Sequence, residues 1–143
     1  MIKVAITISF DLLHDGHIDH IEEASKLGDW LIVIVDPSDF LIKKKGYELI
    51  PLEARLRVAE SIRYIDEVVV SIDKDGTCAE TLRMLRPDVL AKGGDRTPDN
   101  MPQNEIDVCK DIGCKIVYEV GRKLNSSQIL VKRAFNYLHE ELK

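Results

Sequence analysis

Cysteine is scarce in this 143-residue chain. Cys78, Cys109 and Cys114 are an odd three without a CxxC pair, so neither a disulfide framework nor a four-cysteine zinc site is predicted, and a reducing cytoplasm is the expected setting. Long apolar runs are also absent. The longest, residues 30–35, falls far short of the ~20 residues that cross a bilayer. The opening MIKVAITISF lacks the separate charged and apolar regions of a secretory signal, so a soluble, unprocessed protein with no membrane partner is expected. There is no excess of positive charge: 20 Lys and Arg stand against 25 Asp and Glu, a net charge of -5. That balance lacks the electrostatic footprint of non-specific nucleic-acid binding. Repeats of solenoid period, low-complexity tracts and linker-like shifts are missing as well. The length leaves no room for a second full domain, and one domain over 1–143 is expected.

What is present is an alternation. Residues 3–9, 30–35, 67–72, 88–91 and 115–120 read as strands rich in β-branched residues. The nearly continuous apolarity of 30–35 is what a parallel strand covered on both faces requires. Between and after them, residues 16–27, 51–64, 77–85, 103–112 and 126–141 carry helical patterns, with Gly28 closing the first and Pro51 opening the second. Five strands alternating with five helices predict an α/β, Rossmann-like doubly wound domain: a five-stranded, mostly parallel sheet with helices on both faces. Ligands of such sheets bind outside the carboxyl ends of the strands. The segments that deserve inspection are therefore 9–17, 36–50, 92–100 and 121–127, with 36–50 and 93–102 as the long irregular stretches.

Three of the four histidines fall within seven residues, in Ser9-Phe10-Asp11-Leu12-Leu13-His14-Asp15-Gly16-His17-Ile18-Asp19-His20. Gly16 permits close approach of backbone to ligand, and the helix start beyond it offers unpaired N–H groups and a positive dipole end. Phosphate is the natural guest. His14 and His17 can each donate a hydrogen bond to its oxygens and stabilise charge that grows in a transition state. His20 is assigned to the helix itself. A zinc site on residues 14, 17 and 20 is the competing reading of the spacing. By the same residue-level reading, Lys43-Lys44-Lys45 is a solvated charge run, Asn125 with Gln128 a reciprocal helix cap, and Gly93-Gly94 with Asp95 a turn.

The stretch from Ser9 to His17 resembles the first signature of the cytidylyltransferase-like nucleotidyltransferases, in which Gly-Thr-Phe-Asp precedes His-x-Gly-His. Leu27-Gly28-Asp29, Pro51-Leu52-Glu53-Ala54-Arg55, the block from Arg86 through Lys92-Gly93-Gly94-Asp95, and Asn125-Ser126-Ser127-Gln128-Ile129 continue the likeness in order. The block ending at Asp95 and Pro51-Leu52-Glu53 look most like the adenylyltransferase half of the bacterial heptose-phosphate enzyme of lipopolysaccharide core synthesis. Glycerol-3-phosphate cytidylyltransferase and the archaeal FAD synthetases are runners-up.

The resemblance implies an enzyme that transfers a nucleoside monophosphate, AMP from ATP by preference, to a phosphorylated small acceptor such as a sugar phosphate, with release of pyrophosphate. It implies that Ser9 and Phe10 contact the nucleotide through their backbone, and that His14, His17 and Lys45 act on the phosphates. Gly16, Arg55, Gly94 and Asp95 line the nucleotide, Ser126 and Ser127 hold the β- and γ-phosphates, and Mg²⁺ accompanies the triphosphate with Asp11 as the nearby carboxylate. A homodimer is a further expectation. Three departures stand out: Ile8 replaces the family's glycine two residues before Phe10, residues 46–50 are short and lack an arginine, and Asn125-Ser126-Ser127 replaces Ser-Thr-Thr. Ile8 motivates a second reading, a nucleotide-binding protein without turnover.

Overall fold

A computed structural model describes residues 1–142. Lys3–Ile8 (β1), Trp30–Val35 (β2), Glu67–Val70 (β3), Val89–Ala91 (β4) and Lys115–Val117 (β5) form one sheet in the order β3-β2-β1-β4-β5. Every pairing is parallel. Asp15–Ser25 (α1), Ser38–Lys45 (α2), Leu52–Glu60 (α3), Ala79–Leu85 (α4), Gln103–Ile112 (α5) and Ser127–Glu141 (α6) complete the chain.

Strand alternation divides the core in two. Val4, Ile6 and Ile8 of β1 point to one face with Leu31, Val33 and Val35 of β2, against Ile21 and Ala24 of α1 and Ala59 of α3. Ala5 and Ile34 point to the other face with Leu90, against Ala79 and Leu82 of α4 and Val108 and Cys109 of α5. A period of two sends successive side chains to opposite faces, so strands clad on both sides must be apolar throughout.

Two sequence expectations change. The stretch 36–50 is not irregular: it holds α2, which ends at Gly46 in the left-handed region (φ 85°). Its apolar residues Phe40, Leu41 and Ile42 are consecutive, and Leu41 alone is buried, so no helical stripe shows in the sequence. β3 and β5 are also shorter than expected. The chain leaves β3 after Val70 because Asp73 turns back to accept the N–H groups of Glu80 and Thr81 at the start of α4. Beyond β5, Glu119 takes a positive φ of 57° that no strand accommodates.

The order of strands sets the location of the site. From β1 the chain winds outward through β2 to β3, then crosses to the opposite side for β4 and β5. The carboxyl ends of β1 and β4 therefore flank the point where the winding reverses, and the loops there diverge to leave a crevice.

Candidate active site

A cleft of about 480 Å³ opens at that point. Its floor is the end of β1, Thr7 to Ser9, and the end of β4, Ala91 to Gly93. The starts of α1 and α6 form one wall, and Phe40, Lys44 and Lys45 of α2 form another.

The two histidines of the first tip cap α1 for each other. The Gly16 N–H donates to His14 Nδ1 at 3.0 Å, and the His14 N–H donates to His17 Nδ1 at 3.2 Å. A neutral imidazole carries one proton, so with both Nδ1 atoms accepting, both protons sit on Nε2. The rings lie 3.9 Å apart between centroids, tilted by 32°. Burial holds His17 neutral by lowering its pKa to about 4, with the neighbouring His14 acting in the same direction. Gly16 is required by this packing. A Cβ there would stand 2.8 Å from His14 Cε1 and 3.0 Å from His14 Nδ1, so its absence leaves room for the ring that caps the helix.

That burial makes an acid-sensitivity prediction. The unfolded chain binds a proton at His17 near pH 6.5 and the folded chain only near 4, so the stability in question is intact above pH 6.5 and is lost as pH falls towards 4. Because the ring keeps partial access to solvent, the discounted loss is about 2 kcal/mol. Urea unfolding at pH 7.5 and pH 4.5 measures it, and His17→Gln, whose side-chain oxygen can still cap, should flatten the dependence.

The start of α6 is tied to the first tip. The Ser127 hydroxyl donates to the Leu12 carbonyl at 2.8 Å, and Asn125 donates through Nδ2 to Asp15 at 2.9 Å. Asn125 therefore does not cap α6: Ser126 occupies the N-cap position, with no side-chain cap bond. At that end Asn125, Ser126, Ser127 and Gln128 all line the cleft.

Of the residues the sequence singles out, His14, His17, Lys45, Ser9, Gly16, Gly94, Asp95, Ser126 and Ser127 meet at the cleft. Lys45 Nζ lies 3.6 Å from Asp11 and reaches over the Tyr47 ring. Asp95 is exposed and holds Lys123 Nζ at 2.9 and 3.0 Å. Ile8 packs its side chain into the core and presents the end of β1 to the cleft.

Three expectations are corrected. Arg55 does not reach the cleft: it is fully buried and spends its guanidinium on the protein. It donates to the carbonyls of Ile50, Ser9 and Asp36 and to the Glu48 carboxylate at 2.7–3.0 Å. Phe10 lies beneath the cleft rather than along it, with its ring in the core and its backbone at φ 59°. Asp11 is buried, and its two oxygens accept the N–H groups of Leu49 and Ile50. With those oxygens turned inward, Asp11 does not fit a magnesium ligand. Nor is the three-histidine zinc site formed: among the described residues no three His, Cys, Asp or Glu side chains stand together to hold a metal ion.

Four residues at the cleft were not anticipated. His20, on the same face of α1 as His17, donates from Nδ1 to the Val120 carbonyl at 2.6 Å and is kept neutral chiefly by burial. Asp36, at the end of β2, is also shielded, and burial raises its pKa despite Lys44, Arg55, Lys92 and Lys45 nearby. Lys92 and Glu105 form a buried ion pair at 3.1 Å, and the other Glu105 oxygen accepts the Cys78 N–H at 3.2 Å. Charge at the cleft runs against the chain's average. Lys44, Lys45, Lys92, Arg96, Arg122 and Lys123 line it against Asp36, Asp95 and Glu105. A positive concavity of this kind concentrates anions.

A second cavity of about 470 Å³ adjoins the first across Phe40, Lys44 and Gly76, and is lined further by Pro37 and Ile72.

Residues 8–137 match the Cytidylyltransferase-like family. The FAD synthase of Ferroglobus placidus is 38% identical over 96 residues, which cover 67% of this chain and 61% of that protein. The bifunctional protein HldE of Desulfatibacillum aliphaticivorans is 34% identical over 110 residues, 76% of this chain and 22% of HldE. The chain thus spans about three-fifths of the first relative and about a fifth of the second. Among solved structures, the lipopolysaccharide core biosynthesis protein from Thermoplasma volcanium superposes with a TM-score of 0.71 at 28% identity, over 85% of this chain and 98% of that one. The family match runs from the end of β1 into α6 and so takes in both sides of the cleft: the chain belongs to the cytidylyltransferase-like family.

Proposed function

We propose that the chain transfers a nucleoside monophosphate, AMP from ATP by preference, to the phosphate of a small phosphorylated acceptor such as a sugar phosphate. The observation that carries this reading is the histidine pair. With both Nδ1 atoms accepting backbone N–H groups, the two stacked rings keep Nε2–H as the donor they can offer to the cleft they line, which suits a pentavalent phosphorus whose equatorial oxygens gain charge. An oxygen of the acceptor phosphate attacks the α-phosphorus, the bond from that phosphorus to the bridging oxygen breaks, and pyrophosphate leaves with the electron pair.

In this reading His14 and His17 donate to the transferring phosphate, and Lys45 brings a positive charge to it. The N–H groups at the start of α6, with Ser126 and Ser127, receive the departing phosphates. Ser9, Gly16, Gly94 and Asp95 border the nucleoside. Magnesium, when bound with the triphosphate, would supply neutralising charge, and Asp11, whose oxygens accept the Leu49 and Ile50 N–H groups, is not placed to hold it.

A second acceptor, FMN, is favoured by the likeness to an FAD synthase and by the adjoining cavity. Phe40 and Ile72 there offer apolar surface to a flat ring. Incubation with each of ATP, CTP, GTP and UTP, Mg²⁺ and a panel of sugar phosphates, glycerol 3-phosphate and FMN should release pyrophosphate for one pair at least. The enzyme reading fails if every pair is silent. Tight triphosphate binding without release would instead support the sensor reading that Ile8 suggests.

A further inference from the structure

Three carboxylates line the cleft, and two of them are held: Asp95 by Lys123 and Glu105 by Lys92. Asp36 is not. Among the described residues its carboxylate has no hydrogen bond and no cation at ion-pair distance, although it is half-buried and burial raises its pKa. The cations around it are engaged elsewhere. Lys45 stands 3.6 Å from Asp11, Arg55 is spent on carbonyls and Glu48, Lys92 on Glu105, and Lys44 lies over the Phe40 ring. A shielded carboxylate without a partner works against the fold, so its presence calls for a ligand.

Its place says which ligand. Val35 pairs with Ile8 in the sheet, which sets Asp36 beside Ser9 at the cleft floor. Arg55 Nη1 donates to the carbonyls of both residues at 2.7 Å, so the two strand ends are fixed before anything binds. In the transfer reading above, the nucleoside borders Gly94 and Asp95 beyond β4, and the departing phosphates meet the start of α6. The side left for the acceptor is that of β2 and α2, where Asp36 stands with Phe40, Lys44 and Lys45, and where the second cavity adjoins.

A carboxylate there repels the acceptor's phosphate, which the lysines and histidines attract. A cationic group is disfavoured in turn by the six basic side chains of the cleft. What suits the place is an uncharged donor, and a carboxylate, which only accepts, can take two neighbouring hydroxyls at once. We infer that Asp36 is a specificity-determining residue for the acceptor: it accepts hydrogen bonds from hydroxyl groups on the carbon skeleton next to the acceptor's phosphate. The chain therefore selects polyhydroxylated phosphate esters over esters without hydroxyls. This assignment rests on the transfer reading for the side at which the acceptor enters.

Titration calorimetry on the full chain, loaded with Mg²⁺ and α,β-methylene-ATP, tests it with glucose 1-phosphate, glycerol 3-phosphate and FMN beside ethyl phosphate, which has no hydroxyl. The wild type is expected to bind at least one hydroxylated ester more tightly than ethyl phosphate. Asp36→Ala should weaken that ester about 10–10²-fold and leave ethyl phosphate and the ATP analogue unchanged. The ester that responds distinguishes a sugar ring, a short polyol and a ribityl chain. Asp36→Asn, which removes an unpaired charge, should melt at or above the wild-type Tm at pH 7.5, whereas a carboxylate that serves the fold would lower it. No preference over ethyl phosphate, equal affinities in Asp36→Ala, or a Tm several degrees lower in Asp36→Asn would each overturn the inference. Pyrophosphate release is scored separately. A preference that depends on Asp36 without turnover ends the transfer reading alone, and turnover with affinities unchanged in Asp36→Ala ends the role of Asp36 alone.

Discussion

Replacing either His14 or His17 with alanine lowers kcat/KM for nucleotidyl transfer by about 10²–10³-fold, the magnitude typical of a lost preorganised donor to transition-state charge. The two losses do not add, because the two rings pack against each other, 3.9 Å apart between centroids, and removing one leaves the other without its support. The double variant is therefore expected to fall less than the product of the singles. Removing His14 also strips a helix cap at about 1 kcal/mol, so the kinetic comparison belongs at a temperature where all variants are folded. His17→Gln separates the two roles. It can still accept the His14 N–H and donate weakly through its amide, and it should retain more activity than His17→Ala.

Arg55→Met is expected to be among the most destabilising single changes outside the apolar core, at about 3–5 kcal/mol. The loss has a named cause. Three half-buried carbonyls, of Ser9, Asp36 and Ile50, and the Glu48 carboxylate lose the one group that ties them. For a chain of this length the loss corresponds to a fall in Tm of roughly 10 °C or more. Arg55→Lys should recover little of it, since one ammonium cannot span donors aimed at the ends of β1 and β2 and at the 48–50 segment together. Differential scanning calorimetry of the two variants decides this. A wild-type Tm in either variant would mean that the guanidinium is not holding the strand ends in register. Glu48→Gln, which keeps a hydrogen-bond acceptor, should cost less than either.

These two predictions mark what the sequence discloses and what it hides. The first tip is legible because its chemistry is local: His14, Gly16 and His17 lie within one turn, and reciprocal capping follows from a spacing of three. The sheet is legible because continuous apolarity over 30–35 has one physical explanation, and both faces of β2 are in fact covered. Arg55 is not legible, because nothing in Pro51-Leu52-Glu53-Ala54-Arg55 says that the side chain turns inward to a carbonyl 46 positions away. Asp11 misleads similarly, since its partners Leu49 and Ile50 arrive through a loop whose path depends on α2, and α2 has no amphipathic stripe. Lys92 and Glu105 pair across 13 residues and two elements, so each looks like an ordinary surface charge until β4 and α5 are packed. His20 carried a usable signal. It follows His17 by three on α1 and so shares the face that meets the cleft.

The charge of the chain gains meaning from the same packing. A net charge of -5 argues against nucleic acid, yet the cleft gathers six cationic side chains against three carboxylates. The fold thus gathers basic side chains at the cleft of a chain that is acidic on average.

The central claim is direct transfer of a nucleotidyl group between two bound substrates, and it is tested most directly by following the α-phosphorus. With α-³²P-labelled ATP, Mg²⁺ and the acceptor that releases pyrophosphate, the label is expected in the acceptor adduct, with the pyrophosphate unlabelled and the protein carrying none. Label retained on the protein through denaturation, or released as inorganic phosphate with no adduct formed, would contradict the account.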